Sequence, residues 1–347
     1  MSSEDVISDP SAVPGPAAHA VTPPSAQRDR GDRIAATIQR LAPFVVLAAT
    51  IALGAAAFGG HFMSVDTFRI IAEDRVSLGL VAIGMTFVII SGGIDLSVGS
   101  VLALGAVLTA YSSLHWGPVA AVLVPLLACG SVGLINGLLI AKTKMAPFIV
   151  TLASLLFARG FALYVTNNAT NIPNVRRTSG VTKIGQGKLF GVPVPIVITV
   201  ALFAIAAVIL NRTRSGQCVF ALGGSEDAAI LMGLPVARIK VLLYTASGLL
   251  AGLAGMVTAT RSLSGDPNLA NGLELQAIAA VVIGGTLLTG GAGTISGTLA
   301  GVLLLGVIRN LITQKGTLAE YHQDLVFGTF LIIVVIAQKL LSKRQRT

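Results

Sequence analysis

The sequence predicts an all-α polytopic membrane protein of about ten transmembrane segments, several of them interrupted. Three observations predict it. Of the 347 residues, 54% are hydrophobic and only 11% charged, with a mean hydropathy of +0.83; soluble domains run near about 25% charged. Apolar runs approaching the roughly 20 residues that span a bilayer recur along the whole chain. The 39 glycines suit helices that pack closely within a membrane. A large soluble enzyme with buried helices does not account for so many runs of that length.

The elements follow in order. Residues 1–27 are rich in Pro, Ala and Ser, with no apolar segment behind a basic one, so no signal peptide is expected. Residues 1–33 read as a disordered tail, and a short amphipathic helix fits 32–41. The first span is 41–59, with Pro43 tolerated in its first turn. A polar link, 61–75, follows. Segments 76–91 and 97–111 are each short for a span and meet at the glycine cluster SGGIDLSVG. The fourth span, 118–141, ends at Lys142 and Lys144, and the fifth is 147–166. Loop 167–192 is polar and too interrupted to cross. The sixth span, 193–210, is closed by Arg212 and Arg214. A mixed link, 211–240, leads to the seventh span, 241–260. The eighth and ninth, 273–288 and 294–313, flank TGGAG. The tenth, 325–341, completes a membrane domain of 41–341 and precedes a basic tail, 342–347.

Charge orients the spans. With the N-terminus in the cytoplasm, Arg28, Arg30, Arg33, Arg40, Lys142, Lys144, Arg212, Arg214, Arg238, Lys240, Lys339, Lys343, Arg344 and Arg346 fall inside. That distribution follows the positive-inside bias, and an even number of spans returns the C-terminus to the cytoplasm. Loop 167–192 is then external, and it carries four of the outside charges. The net charge of +9 collects between spans and not along one helix, so no nucleic-acid partner is expected. Cys129 and Cys218 belong to no CxxC or Cys/His cluster, so neither metal nor bound cofactor is expected.

The glycine cluster carries the chemistry. Asp95 has apolar sequence on both sides, and such a carboxylate in a membrane protein marks a functional site by default. Two readings stand side by side. Asp95 caps the helix that starts near Ser97, or it gates the pathway or contacts solute directly. Gly92 and Gly93 supply backbone that a side chain obstructs. Ser97, and more weakly Ser100, border the break. Asn136 and Asn310, each late in a span, serve as interhelical hydrogen-bonding groups or line the pathway. Glu274 and Gln276 open the eighth span at its outer end, Glu274 at headgroup level. An internal echo pairs Gly92, Gly93 and Gly99 with Gly290, Gly291 and Gly297. It fits a two-fold repeat, although Asp95 is matched by Gly293. Paired interruptions of this kind mark solute sites in transporters.

Several stretches resemble one family. They are GLVAIGMTFVIISGGIDLSVGS at 79–100, NGLLIAKTKMAPFIVTLA at 136–153, the pair Arg159 and Gly160, TRSGQCVFALGGSEDAAILMGLPVARIKVLLY at 213–244, residues 248–255, and GGTLLTGGAGTISGTLAG at 284–301. Together, over roughly 44–340, the sequence resembles the permease subunit of bacterial ATP-binding-cassette importers for monosaccharides, the ribose/xylose/arabinose/galactose permease family. The resemblance implies a bacterial inner-membrane location and a second permease copy or a related permease. It also implies a pair of cytoplasmic ATP-binding subunits, which use ATP and Mg2+, and a periplasmic sugar-binding protein. This chain has no G-x-x-x-x-G-K-[ST] phosphate loop, so it is not expected to be an enzyme itself.

The resemblance also gives the link 211–240 a role. Ser225 reads as the N-cap of a helix over 225–232, with Glu226 and Asp227 in its first turn. Gly233 and Pro235 stop it, and residues 228–232 give it an apolar side. The plain reading is a surface helix packed on its own subunit. The functional one is a coupling helix in a groove of the ATPase, carried by Gly223, Gly224, Glu226, Asp227, Ile230, Leu231 and Gly233. The competing function is an ion-coupled secondary transporter of a small polar solute. It requires ionisable groups inside the membrane, where the sequence offers chiefly Asp95.

Overall fold

The computed structural model describes residues 26–315 and, beyond them, 325, 328, 329, 332 and 336, with side chains at 41–314 and at those five later positions. Most of the expected tenth span and the basic tail lie outside the described residues, as does the tail before residue 26. The chain divides into units Met1–Ile38 and Gln39–Thr347. The described part of the first is the start of helix α1, Ala26–Phe58. Residues 26–33 are therefore helical where a disordered tail was expected. Pro43 lies inside α1 and not in its first turn.

Among the described residues of the second unit, seven helical stretches are long and apolar enough to cross a membrane. They are Leu41–His61 at the end of α1, α4 (Val98–His115), α5 (Pro118–Thr143), α6 (Pro147–Val165), α8 (Val194–Arg212), α11 (Val236–Ser262) and α13, of which Ile295–Gln314 qualifies. Two shorter apolar helices, α3 (Val76–Ile90) and α12 (Leu273–Ile283), have 15 and 11 residues. At 1.5 Å per residue they reach only about 22 and 16 Å, short of the ~30 Å hydrocarbon thickness. Each ends inside the bundle, as the glycine clusters predicted.

Three segments expected as links contain helices. Residues 65–74 form α2 (Val65–Asp74), started by Ser64, whose Oγ accepts from the Thr67 N–H at 3.2 Å. Ile71 packs with Phe62 and Val307, joining α2 to α13 and to Leu47 and Ile51 of α1. Loop 167–192 holds α7 (Thr182–Gln186) and the paired two-residue strands β1 (Lys188–Leu189) and β2 (Val192–Pro193). Link 211–240 holds α9 (Arg214–Gly224), α10 (Glu226–Leu231) and the first turn of α11. Its polar residues obscured buried Val219, Leu222, Val236 and Ile239, which set the helical spacing.

Helix α11 is the axis, packed against α3, α4 and α5. Glycines permit its approach to α5. A Cβ on Gly248 would strike the carbonyl of Cys129 and lie 3.1 Å from the Gly133 Cα, and one on Gly133 would strike the carbonyl of Tyr244. Small residues let membrane helices meet backbone to backbone. Helices α3 and α4 sit deep inside: 83% of the α4 span is buried, against 11% for the first span and 22% for α6 and α8. The outer helices present the apolar surface that a bilayer covers.

The connections form two sets. At one end, Arg261 pairs with Glu73 and donates to its carbonyl at 2.6 Å, and Arg309 pairs with Asp74 at 3.4 Å. There too, Asn174 bridges Ser264, and the Arg176 N–H donates to Ser113 Oγ at 3.2 Å. The breaks after α3 and α12 and the α9–α10 segment make up the other set.

The α5–α11 crossing yields the first prediction. Gly248→Val forces the two backbones apart and is expected to cost about 1–3 kcal/mol or more. Gly160→Val, on α6 with nothing within 4 Å of the added carbon, is expected to leave stability unchanged. Melting temperatures of the two purified variants in one detergent check the contrast; equal melting rejects this crossing as a tight contact.

A buried polar junction at the helix break

Helix α3 ends in a hydrogen-bonded glycine turn. The Gly92 N–H donates to Ile89 O at 2.9 Å and the Gly93 N–H to Val88 O at 3.0 Å, with Gly92 at φ +84°. This is the Schellman arrangement, in which a left-handed residue lets the last carbonyls find donors. Helix α12 ends the same way: the Gly285 N–H donates to Val282 O and the Thr286 N–H to Val281 O, with Gly285 at φ +88°. At these helix ends Gly92 therefore corresponds to Gly285, and not to Gly290 as the sequence echo had it. The second break is longer, and a glycine-rich run admits more than one register.

After the turn the chain reaches Asp95. One carboxylate oxygen, Oδ1, accepts from the Ser97 N–H at 3.0 Å and from Ser97 Oγ at 2.6 Å. The other accepts from Ser247 Oγ at 2.8 Å. Asn136 Nδ2 donates to Ser97 Oγ at 3.3 Å, and Ser154 Oγ donates to Asn136 Oδ1. Asp95, Ser97, Asn136 and Ser247 are all at most 2% exposed. Ser247 lies near the middle of the 27-residue α11, so the junction sits at mid-depth. It ties the α3–α4 break to α5, α6 and α11. Oδ1 of Asp95 closes a local turn onto the Ser97 N–H, just ahead of α4; Ser247 and Ser154, from helices far along the chain, were not legible as partners in this junction.

The other candidates separate. A Cβ on Gly93 would strike the hydroxyl of buried Tyr244, a second partner the sequence did not indicate. Ser100 Oγ donates to Ser97 O at 2.8 Å and so serves its own helix. Asn310 is not part of the junction: it lies near the far end of α13 and accepts from Gln314 at 3.0 Å. Gly223 packs on the end of α3, and Gly224 is exposed.

A second polar group was missed. Segment 264–272 folds back along α4, with Gly265 against Ala106 and Ala110 and with Ala270 O beside Gly99. Arg159 of α6 holds this segment through the carbonyls of Pro267 and Leu269, the latter at 3.0 Å. Glu274 consequently lies against Gly99 in the first turn of α4, at break depth and not at headgroup level. The folded-back loop lowers it. Among the described residues, no group of three His, Cys, Asp or Glu is placed to hold a metal ion.

Helix α10 has the expected cap: Ser225 Oγ accepts from the Ala228 N–H at 3.3 Å. It stops at Gly233, φ +76°, whose N–H donates to Ile230 O at 2.9 Å. Its apolar residues divide between two directions. Ala229 is buried, whereas Ile230, Leu231 and Met232 are 52%, 88% and 66% exposed. Asp227 is exposed, and Glu226 pairs with Lys240 of its own chain at 2.6 Å.

The junction predicts a graded response at position 95. Asp95→Asn keeps one acceptor for Ser97 and turns an amide toward Ser247 Oγ, which also accepts, so folding is expected to persist. Asp95→Leu leaves the Ser97 N–H and the Ser247 hydroxyl buried without an acceptor, at about 1–3 kcal/mol for each group. Size-exclusion profile and melting temperature distinguish the two. A leucine variant as stable as the wild type contradicts the junction.

Comparison with known proteins agrees with this architecture. Residues 67–335 match the profile of the family described as "Branched-chain amino acid transport system / permease component". The chain is 39% identical over 303 residues to the ribose import permease protein RbsC of Bacillus subtilis (strain 168), covering 87% of this chain and 93% of that one. It is 37% identical over 294 residues to RbsC of Escherichia coli (strain K12), covering 84% and 91%. It is 35% identical over 308 residues to the L-arabinose ABC transporter permease protein AraH of Azospirillum brasilense, covering 87% of each. No solved structure matches the chain. With a profile across most of its membrane region and relatives aligned over nearly their whole length, the chain belongs to the branched-chain amino acid transport system / permease component family.

Proposed function

We propose that this chain is the membrane-spanning permease subunit of an ATP-driven, binding-protein-dependent importer of a monosaccharide. Permease subunits of this family are non-catalytic, and hydrolysis resides on a partner. Sugar is favoured as the solute because the relatives aligned over nearly their full length are named for ribose and arabinose import. The full transporter pairs two permeases, identical or related, with two ATP-binding subunits that use ATP and Mg2+ and with a periplasmic sugar-binding protein. The bundle opens alternately to either side around the α3 and α12 breaks.

The observation that carries ATP coupling is the outward tip of α10. Ile230, Leu231 and Met232 stand exposed on a helix capped at both ends. Exposed apolar residues on a short rigid helix suit insertion into a protein groove. Ion coupling finds less support. Of the two acids at break depth, Asp95 is already engaged by donors from Ser97 and Ser247, and Glu274 lies against the backbone at Gly99.

Ten spans fit the chain. Nine expected spans coincide with described helices, two of them short, and the tenth, 325–341, brings the basic tail back to the cytoplasm. Both termini then face inward across the bacterial inner membrane, with loop 167–192 outside. The matching helix ends at Gly92 and Gly285 support an ancestral two-fold repeat.

Two experiments test this reading. Single cysteines replace Phe190, which is 97% exposed, and Leu231, with Cys129 and Cys218 changed to Ala. An impermeant maleimide is expected to label position 190 in intact spheroplasts and position 231 only after permeabilisation; the reverse pattern inverts the topology. For energy, the permease is reconstituted alone and with its ATPase and binding protein. Accumulation of sugar is expected only in the complete system. Replacing both Ile230 and Leu231 by Asp is expected to abolish ATPase co-purification, because new charge in an interface is costly. Proton-driven accumulation by the permease alone supports the ion-coupled reading instead.

A further inference from the structure

The end of α9 meets both helix breaks at one point. The Gly291 N–H, in the α12–α13 turn, donates to Ile90 O, the last residue of α3, at 2.9 Å. Gly223 of α9 lies against this pair: a Cβ there would strike Ile90 O and reach the Gly291 nitrogen. A Cβ on Gly290 would come within 2.9 Å of Gly223 O and 3.0 Å of the Gly92 Cα. Three stretches of backbone, at residues 90–92, 223–224 and 290–291, thus touch without intervening side chains.

The α9–α10 segment is braced internally and against its neighbours. Val219 and Leu222 bury α9 in a cluster with Ile90, Leu243, Tyr244 and Ile295. Ser225, the cap of α10, donates its N–H to Ala221 O of α9 at 3.1 Å. Buried Ala229 and the Glu226–Lys240 pair fix α10 to the start of α11. A displacement of the α10 tip therefore reaches Gly223 within two helical turns.

We propose that Gly223 is the positioning residue that transmits movement of the α10 segment to both helix breaks at once. This rests on the reading that α10 docks the ATPase. Gly223 needs no unusual backbone angle, since it is absent from the positive-φ residues. Alanine is intrinsically favoured over glycine in a helix, so the requirement at this position comes from the contact. Neighbouring Gly224, with nothing within 4 Å of an added carbon, is the matched control.

The test uses the complete transporter, permease with ATPase and binding protein, in lipid nanodiscs and liposomes. Gly223→Ala is expected to co-purify with the ATPase as the wild type does, because α10 is untouched. Stimulation by sugar-loaded binding protein, and sugar taken up per ATP, are expected to fall by about tenfold. Gly224→Ala is expected to behave as the wild type. Full coupling by Gly223→Ala, or an equal defect in Gly224→Ala, overturns the proposal. Loss of co-purification in Gly223→Ala also overturns it, by making Gly223 part of the dock.

Amide exchange in the unmutated complex covers the case in which Gly223→Ala does not fold. Exchange at Gly291 is expected to change by about tenfold between nucleotide-free and vanadate-trapped states. Equal exchange in both states rejects transmission. The docking reading fails separately, if the permease with both Ile230 and Leu231 replaced by Asp retains its ATPase.

Discussion

A carboxylate at mid-depth in a membrane protein has to be satisfied without bulk water, and the structure around Asp95 is arranged to meet that demand. Leaving an ionisable group or a broken-helix amide unpaired there costs several kcal/mol in hydrocarbon. The Ser97 N–H, Ser97 Oγ and Ser247 Oγ all point at the two oxygens. Asn136 and Ser154 extend the set to α5 and α6. Each donor comes from an element that has to be in place before the carboxylate is content. The junction therefore fixes relative positions of helices that packing alone, among Leu, Val and Ala, leaves weakly specified.

Backbone contact is the second constraint, and it follows from the same shortage of water. The α3 and α12 helices stop inside the bundle, so their last carbonyls require partners from the protein. The Schellman turns at Gly92 and Gly285 supply some of these from within each helix. The Ile90 carbonyl finds its partner in the other break, at Gly291. The two interruptions thereby satisfy each other, and a side chain at the contact would separate them. The glycine content is less a sign of looseness than of places where two backbones share one space.

Function follows from where these constraints meet the membrane surface. A pathway that opens alternately needs elements able to shift without exposing backbone to lipid. Helices α3 and α4 are shielded by α5, α6 and α8, whose outward faces are apolar. The α9–α10 segment reaches from the exposed tip at Leu231 to the contact of the two breaks.

Much of this was legible in the sequence. The apolar runs marked the seven described helices that are long and apolar enough to cross a membrane, and the two shorter ones, because burial in lipid demands length and hydrophobicity that few other structures require. SGGIDLSVG declared a broken helix with an acid at the break, and Ser225 to Gly233 declared a short helix, since caps and stops are local chemistry. Three things were decided by tertiary structure. Asp95 found Ser247 and Asn136 found Ser154, pairings that depend on which helices touch. Segment 264–272 folded back along α4 and carried Glu274 to the depth of the break, although Glu274 had read as lying at headgroup level. The register of the second break was set by hydrogen bonding at Gly285, where glycine repetition had suggested Gly290. A sequence states what each segment needs from its surroundings; which distant segment supplies it is settled only when the helices pack.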